Sequence, residues 1–202
     1  MPVLPVRIRT MRYLKPPLID FFYPVVEGLG DSAVEQRINH QIVSQMYKLI
    51  AELQQPGLTT QVTGYYEIKA NERNVLSLIL SAMGEFGGAH PMTIVHALNI
   101  DVATGSNYPL GTMFKPGSDY VTILSDIIRV QIAERNLPLL GEYPGIQPNQ
   151  EYYMADNVLV IFYQLFEIMP YAAGFPYFPI PIYKIEPIVA ETSLLNRLTG
   201  II

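Results

Sequence analysis

A histidine in a glycine-rich corner is the first candidate for chemistry in this sequence. His90 follows Gly87 and Gly88, and Glu85 lies just upstream. A histidine within hydrogen-bond reach of a carboxylate, here Glu85 or Glu67, can act as an acid-base pair in a small hydrolase. The alternative is a tight turn in which at least one glycine has positive φ and His90 caps a backbone carbonyl. Because no nucleophile accompanies His90 in the sequence, we favour the turn and predict no catalytic residue.

Metal, thiol and cofactor chemistry have little support in the sequence. There is no cysteine, which removes thiolate nucleophiles and Cys-ligated zinc. His90 and His96 would lie roughly 20 Å apart in an extended chain, too far to share an ion unless the corner folds back. We interpret His96 as a hydrogen-bonded core histidine. Gly28 and Gly30 precede a helix but lack the third glycine of a dinucleotide fingerprint and the lysine of a phosphate loop, so we predict neither metal nor cofactor.

Composition limits the classes of partner. The chain has 202 residues, of which 50% are apolar and only 15% charged, against roughly 25% charged in typical soluble domains. Its 13 basic and 18 acidic residues give a net charge of −5, which argues against nucleic-acid binding and is compatible with a basic protein partner. Fourteen tyrosines suit a half-wet binding face, although many are expected to cover sheet faces. No run approaches the roughly 18 apolar residues of a membrane helix, and the first residues lack the apolar centre of a signal peptide, so we expect no membrane span.

Two segments have the apolar period of amphipathic helices. Ser32 and Glu35 form a capping box, and apolar residues then recur at helical spacing, which predicts a helix from about 32 to 55. A second helix is predicted between Gly117 and Asn136. A short final helix is predicted at about 191–198.

Strands account for most of the remaining regular structure. β-Branched and aromatic residues predict strands at about 6–10, 18–26, 59–69, 75–86, 93–103 and 158–166. Pro179 and Pro181 put two missing donors on one side of a further strand, which only an edge strand tolerates. Strands cluster into hairpins and do not alternate regularly with helices, so the predicted fold class is α+β: an antiparallel sheet of hairpins packed against two amphipathic helices. Residues 136–157 form a long loop, which is usually functional or poorly ordered.

The predicted domain organisation centres on residues 18–187. Residues 1–17 form an N-terminal strand or leader, and residues 188–202 contain the short C-terminal helix. Residues 18–187 form a single α+β domain, with a division into two interlocked halves at about 18–91 and 92–187 as the alternative. A chain of this length is long enough to bury a sizeable core.

Three segments together resemble a known family. They run from Tyr23 to Asn39, from Gly87 to His90, and from Tyr153 to Phe175, where the stretch EIMPYAAGF at 167–175 is the most specific. The pattern is similar, over about residues 18–187, to the extracellular domain of the RsiV-type anti-sigma factor, which also precedes the catalytic domain of a peptidoglycan deacetylase. The resemblance implies an α+β, non-catalytic domain, extracellular or in the cell envelope, that binds lysozyme in the anti-sigma factor. The sigma-binding segment and the transmembrane helix of that factor have no counterpart in this sequence.

These observations predict a non-catalytic binding module for a protein or glycan of the cell envelope, with lysozyme as the basic partner that the resemblance implies. The predicted binding residues are Gly87, Gly88, His90, Tyr171, Gly174 and Phe175. Tyr171 and Phe175 are predicted as aromatic anchors, because the Ala-Ala-Gly spacing between them makes a small protruding corner. One alternative is that these rings pack beneath the edge strand. Another is that Gly174 and the prolines only shape a corner while Glu167 anchors a buried hydrogen bond. The chain could also be a small hydrolase or a purely structural protein.

Overall fold

Residues 4–54, 57, 60–88 and 90–199 are described by a computed structural model of the chain. They contain three α-helices and nine strands in two sheets, which confirms the predicted α+β class. The chain divides into two compact units, Met1–Asn107 and Tyr108–Ile202. The division considered from the sequence, between residues 91 and 92, lies inside the first unit because the strands on either side of it pair with each other.

The first unit is built on a six-stranded sheet in which neighbours in sequence are also neighbours in the sheet. Its strands are β1 (Arg7–Lys15), β2 (Ile19–Glu27), β3 (Gln61–Glu72), β4 (Val75–Glu85), β5 (Met92–Asp101) and β6 (Ser106–Asn107). The predicted antiparallel hairpins form, and β2 and β3 add one short parallel pairing. Parallel strands need a long crossover, and the helix between β2 and β3 supplies it.

Helix α1 (Ser32–Leu53) confirms the first predicted helix and buries its apolar stripe against the sheet. Its N-cap is Asp31, whose carboxylate accepts hydrogen bonds from two N–H groups of the first turn. Glu35 accepts from the N–H of Leu29 at 2.9 Å. The predicted capping box between Ser32 and Glu35 is therefore wrong, because Asp31 already occupies the capping position. The predicted end at residue 55 lies outside the described residues.

The second unit holds a three-stranded antiparallel sheet and two helices. Its elements are α2 (Tyr120–Glu134), β7 (Tyr152–Ala155), β8 (Val158–Phe162), β9 (Tyr177–Pro181) and α3 (Leu194–Leu198), with sheet order β7-β8-β9. The predicted edge strand is confirmed: β9 carries Pro179 and Pro181, and among the described strands it pairs only with β8. The outward carbonyls of β9 are also occupied, since Gln131 of α2 donates to Pro179 O and Arg135 donates to Tyr177 O, both at 2.9 Å.

The loop after α2 is fixed by hydrogen bonds to the structure around it. Ile146 N donates to Ser125 Oγ of α2 at 2.9 Å, and Tyr152 OH donates to Tyr108 O at 2.7 Å. The strand predicted at 158–166 ends at Phe162, and Tyr163 is already in the following connection. Within the described ranges, no helix has the length and apolarity needed to cross a bilayer.

Candidate binding site

The chain leaves β8 through a turn whose third residue has a left-handed backbone. Glu167 N donates to Gln164 O at 3.2 Å, which closes the turn 164–167. Phe166, the third residue, has φ +65°. Glycine or asparagine is usual at such a position, because a side chain there crowds the backbone. Despite this, Phe166 leaves 54% of its surface exposed, so burial of the ring does little to offset the strain.

Side chains hold this turn in place. The Glu167 carboxylate accepts from Gln164 N at 2.7 Å and from Gln150 Nε2 at 3.3 Å. Gln150 is buried, and its amide also donates to Phe162 O at 3.0 Å and accepts from Gln147 N at 3.1 Å. Glu167 thus joins the turn to the buried amide of Gln150, in keeping with the expectation that it anchors a buried hydrogen bond.

The half-buried ring of Tyr171 pairs with the exposed ring of Phe166. Tyr171 begins a short 3-10 turn that runs to Ala173, and its ring centroid lies 5.5 Å from that of Phe166 with an interplanar angle of 31°. Leu140, 57% exposed, approaches the same segment through a 3.0 Å bond from its N–H to Ile168 O. We call the surface of Phe166, Tyr171, Gly174 and Phe175 the aromatic corner.

The other end of the aromatic corner is attached to the sheet. Gly174 has φ +74° and ψ −162°, a conformation essentially restricted to glycine, and returns the chain towards β9. Phe175 is half-buried and packs on Tyr177, whose ring contacts Tyr153 and the buried Phe162. The two predicted anchors therefore differ: Phe175 packs on the edge strand, whereas Tyr171 pairs with Phe166 near the surface.

A buried tyrosine pair joins the loop after α2 to the residue that follows β8. Tyr163 OH donates to Gly145 O at 3.1 Å, so Tyr143 OH donates to Tyr163 across 2.8 Å. Burial raises the pKa of Tyr163 far above its usual value. Burial also raises the pKa of Tyr143, and the hydrogen bond to Tyr163 partly opposes this increase. Both hydroxyls therefore keep their protons at any ordinary pH. The pair ties the 143–145 loop to the residue that leads into the corner.

The stretch of chain that contains the aromatic corner has acidic residues and no basic ones. From Asn136 to Tyr183 the sequence contains no lysine, arginine or histidine, while the acidic residues Glu142, Glu151, Asp156 and Glu167 lie in this stretch. The second unit has nine acidic and five basic residues, and the first has nine and eight, so the second carries −4 of the net −5. A basic partner is favoured electrostatically at the second unit.

The glycine-rich corner of the first unit is a bend that follows β4. Gly87 has φ +75°, which confirms the prediction of a left-handed glycine there, whereas Gly88 has no positive φ and open space beside it. Strain from a β-branched residue is therefore expected at Gly87. His90 is exposed, and Glu85 ends β4, also exposed. Whether Gly87, Gly88 and His90 bind a partner stays a prediction.

Other histidine and carboxylate groups of the first unit have structural partners. Glu67, considered as a partner for His90, bonds Lys69 Nζ at 2.7 Å on the same strand. His96 lies on β5, largely buried, with Nε2 3.0 Å from the Glu52 carboxylate of α1, in keeping with the predicted hydrogen-bonded histidine. In the part of the chain that the structure describes, no three metal-ligating side chains converge on one point.

Phe166 is the residue that the sequence did not reveal. Its apolar neighbours Leu165 and Phe162 extend the run of β8, so a period-based prediction places it in the strand. Nothing in a phenylalanine indicates a left-handed backbone. The available signal was the absence of any basic residue from 136 to 183, which singles out this part of the chain.

Comparison with known proteins connects the second unit to one family. Residues 112–183 match the family described as "Protein of unknown function (DUF3298)". The chain is 24% identical over 172 residues to a Mycobacterium tuberculosis protein named esterase Rv3036c, covering 82% of this chain and 74% of that protein. A DUF3298 family structure from Bacteroides fragilis has a TM-score of 0.75 at 13% identity, over 98% of this chain and 99% of that one. Another, from Pseudomonas aeruginosa, has a TM-score of 0.71 at 15% identity, over 98% of both chains.

The two structural likenesses extend over nearly the whole chain, at identities that establish a shared fold and nothing further. The resemblance to the RsiV-type anti-sigma factor stays a prediction. Residues 112–183, which include the whole aromatic corner, therefore match the DUF3298 family model, and the chain shares the fold of the two DUF3298 family structures.

Proposed function

We propose that this protein is a non-catalytic binding module and that the aromatic corner is its contact surface. The observation that carries the proposal is Phe166, a large apolar residue that is half exposed in a left-handed conformation. Such a conformation costs about 1–2 kcal/mol for a residue with a side chain, and glycine at this position would avoid it. An exposed aromatic residue with a strained backbone conformation is explained if a partner protein or glycan covers its ring.

The rest of the corner suits a contact surface. Tyr171 extends the apolar area of Phe166 and adds a hydroxyl, and the ring pair is held by the Glu167 and Gln150 bonds. Rigid aromatic anchors lose little conformational freedom on binding, which favours affinity. The partner we propose is a basic protein such as lysozyme, with a cell-wall glycan as the alternative. The acidic stretch around the corner supports the basic protein, because opposite charge speeds encounter.

Isothermal titration calorimetry tests the proposal directly. Lysozyme and soluble peptidoglycan fragments are titrated in turn into the wild-type chain at low and at physiological salt. Phe166→Ala and Tyr171→Ala should each weaken binding by tenfold or more, about 1.4 kcal/mol, which is typical of an interface anchor. Tyr183→Ala is the matched control, because Tyr183 is an exposed tyrosine of the same unit outside the corner.

Two outcomes would count against the aromatic corner. Absence of heat with both ligands, from protein shown to be folded by circular dichroism, would remove lysozyme and glycan as partners. Binding that disappears at physiological salt and is the same in all variants would mean that charge alone holds the complex.

A small hydrolase is the second candidate function, favoured by the relative named esterase. The residue considered for it is His90, exposed beside the bend at Gly87, with Glu85 as the carboxylate in the same segment. Turnover of p-nitrophenyl acetate and butyrate that disappears in His90→Ala would favour this function. We expect hydrolysis no faster than the background rate, and equal for wild type and variant.

A further inference from the structure

The outer edge of β1 carries main-chain groups that the first unit leaves without hydrogen bonds. β1 is the first strand of its sheet, and of the strands that the structure describes only β2 pairs with it. In an antiparallel pair, alternate residues turn their N–H and C=O groups towards the partner strand and away from it. Every second residue of β1 therefore presents its main chain to the outside.

An asparagine side chain identifies which residues these are. Val26, opposite Ile8, donates its N–H to Asn39 Oδ1 at 2.8 Å and accepts from Asn39 Nδ2 at 2.9 Å, so the Val26 main chain faces away from β1. Ile8 therefore does not bond Val26 and also faces outward.

The open edge follows from this alternation. The residues that turn their main chain outward along β1 are Ile8, Thr10, Arg12 and Leu14. Among the described residues no hydrogen bond reaches their outward N–H and C=O groups. From Ile8 to Leu14 the edge extends about 20 Å, enough for a peptide of six or seven residues.

Charge selects the kind of peptide that fits. β1 carries Arg7, Arg9, Arg12 and Lys15, all exposed, whereas the hairpin of β1 and β2 has only two carboxylates. Those carboxylates, Glu27 and Asp20, pair with Arg9 and Arg12. Neither Arg7 nor Lys15 has a carboxylate within ion-pair distance in the described part of the chain. A second copy of β1 would bring four more positive charges to the same edge, which is unfavourable.

We infer that the outer edge of β1 binds an extended acidic peptide segment by strand addition. Main-chain bonds to Ile8, Thr10, Arg12 and Leu14 hold the segment, and carboxylates near its two ends meet Arg7 and Lys15. The site lies in the first unit, so it is independent of the aromatic corner. Peptide binding at this edge would give the basic strand β1 a function that the proposed function of the aromatic corner does not include.

The probe is a fluorescein-labelled nonapeptide of alternating valine and glutamate, with fluorescence anisotropy as the readout. Two further peptides have the same sequence and N-methyl groups on alternate amides, one set for each edge of the strand. One methylated peptide should bind about tenfold more weakly than the parent, because its donors to β1 are lost, and the other should bind as the parent does. A peptide with lysine in place of glutamate should not bind.

Protein variants locate the site on β1. Leu14→Pro removes one outward N–H and leaves the bonds to β2 in place, so it should weaken the peptide and keep the fold. Arg7→Gln combined with Lys15→Gln should weaken the glutamate peptide by about tenfold at low salt. Equal binding of both methylated peptides would overturn the inference, as would no binding of the parent peptide. Dimerisation of the chain through β1, seen by sedimentation and abolished by Leu14→Pro, would assign the edge to a second copy instead.

Discussion

A corner in each unit, after β4 and after β8, has left-handed backbone, and the two corners use different residues for it. In the first unit the bend after β4 places Gly87 at φ +75°, where glycine has no steric cost. In the second unit the turn after β8 places Phe166 at φ +65°. The first corner is explained by its backbone alone. The second holds a large side chain where a smaller one would be more stable, so the ring itself needs an explanation.

The two corners also differ in the support around them. Phe166 lies in a turn fixed by Glu167 and by the buried Gln150. The buried Tyr143–Tyr163 pair holds the residue that directly follows β8. Functional residues in strained conformations persist only where the surroundings hold them. A supported, strained and exposed aromatic residue is therefore a better functional candidate than an unstrained glycine bend.

The largest effect is expected at Gly174. Gly174→Ala should lower the free energy of unfolding by about 2–3 kcal/mol, because φ +74° with ψ −162° is accessible essentially only to glycine. Urea denaturation followed by circular dichroism measures the change. Gly141→Ala is the control, since Gly141 lies in the same unit with no positive φ and open space around it. Equal stability of the two variants would show that the corner is not fixed at Gly174.

Alkaline pH should weaken the second unit through its buried tyrosines. The folded state raises the pKa of Tyr163, and of Tyr152, above the usual value of 10.0, chiefly by burial. The unfolded chain then loses these protons first, so stability is complete below about pH 10 and falls as the pH rises further. The expected slope is about 1.4 kcal/mol per pH unit for each group. Urea denaturation between pH 8 and 11 measures it, and Tyr163→Phe should have the shallower slope; an unchanged slope in that variant would contradict the assignment.

A smaller effect is expected at the first corner. Gly87→Ala should cost about 1 kcal/mol, because the alanine Cβ is strained at φ +75°. Gly88→Ala should change stability by less than about 0.5 kcal/mol, since Gly88 has no positive φ and an added Cβ would have open space. Thermal unfolding of the two variants side by side makes the comparison. A larger loss at Gly88 would reverse the assignment of strain within this corner.

Features with a local cause could be predicted from the sequence. The helix at Ser32–Leu53 and the hairpin of β3 and β4 follow from apolar period and turn residues, and the edge position of β9 follows from Pro179 and Pro181. The helix cap was misplaced by one residue, because Asp31 and Ser32 are both good caps and only geometry separates them.

Features that depend on distant contacts could not be predicted. The end of β8 at Phe162 is set by Gln150, twelve residues earlier in the chain, whose amide bonds Phe162 O. The parallel pairing of β2 with β3 relies on the ring of Phe21 lying where a side chain at Gly64 would be. Neither contact leaves a pattern in the local sequence.

The Phe166→Gly variant tests most directly whether the aromatic corner is the contact surface. Glycine at φ +65° removes the backbone strain together with the ring, so the variant should be at least as stable as wild type apart from the lost contact with Tyr171. If the aromatic corner is the contact surface, calorimetric titration with lysozyme should show binding at least tenfold weaker than that of the wild-type chain. If the variant binds lysozyme as tightly as wild type does, the aromatic corner does not bind its partner through Phe166. Phe166 would then be a strained residue without a part in recognition.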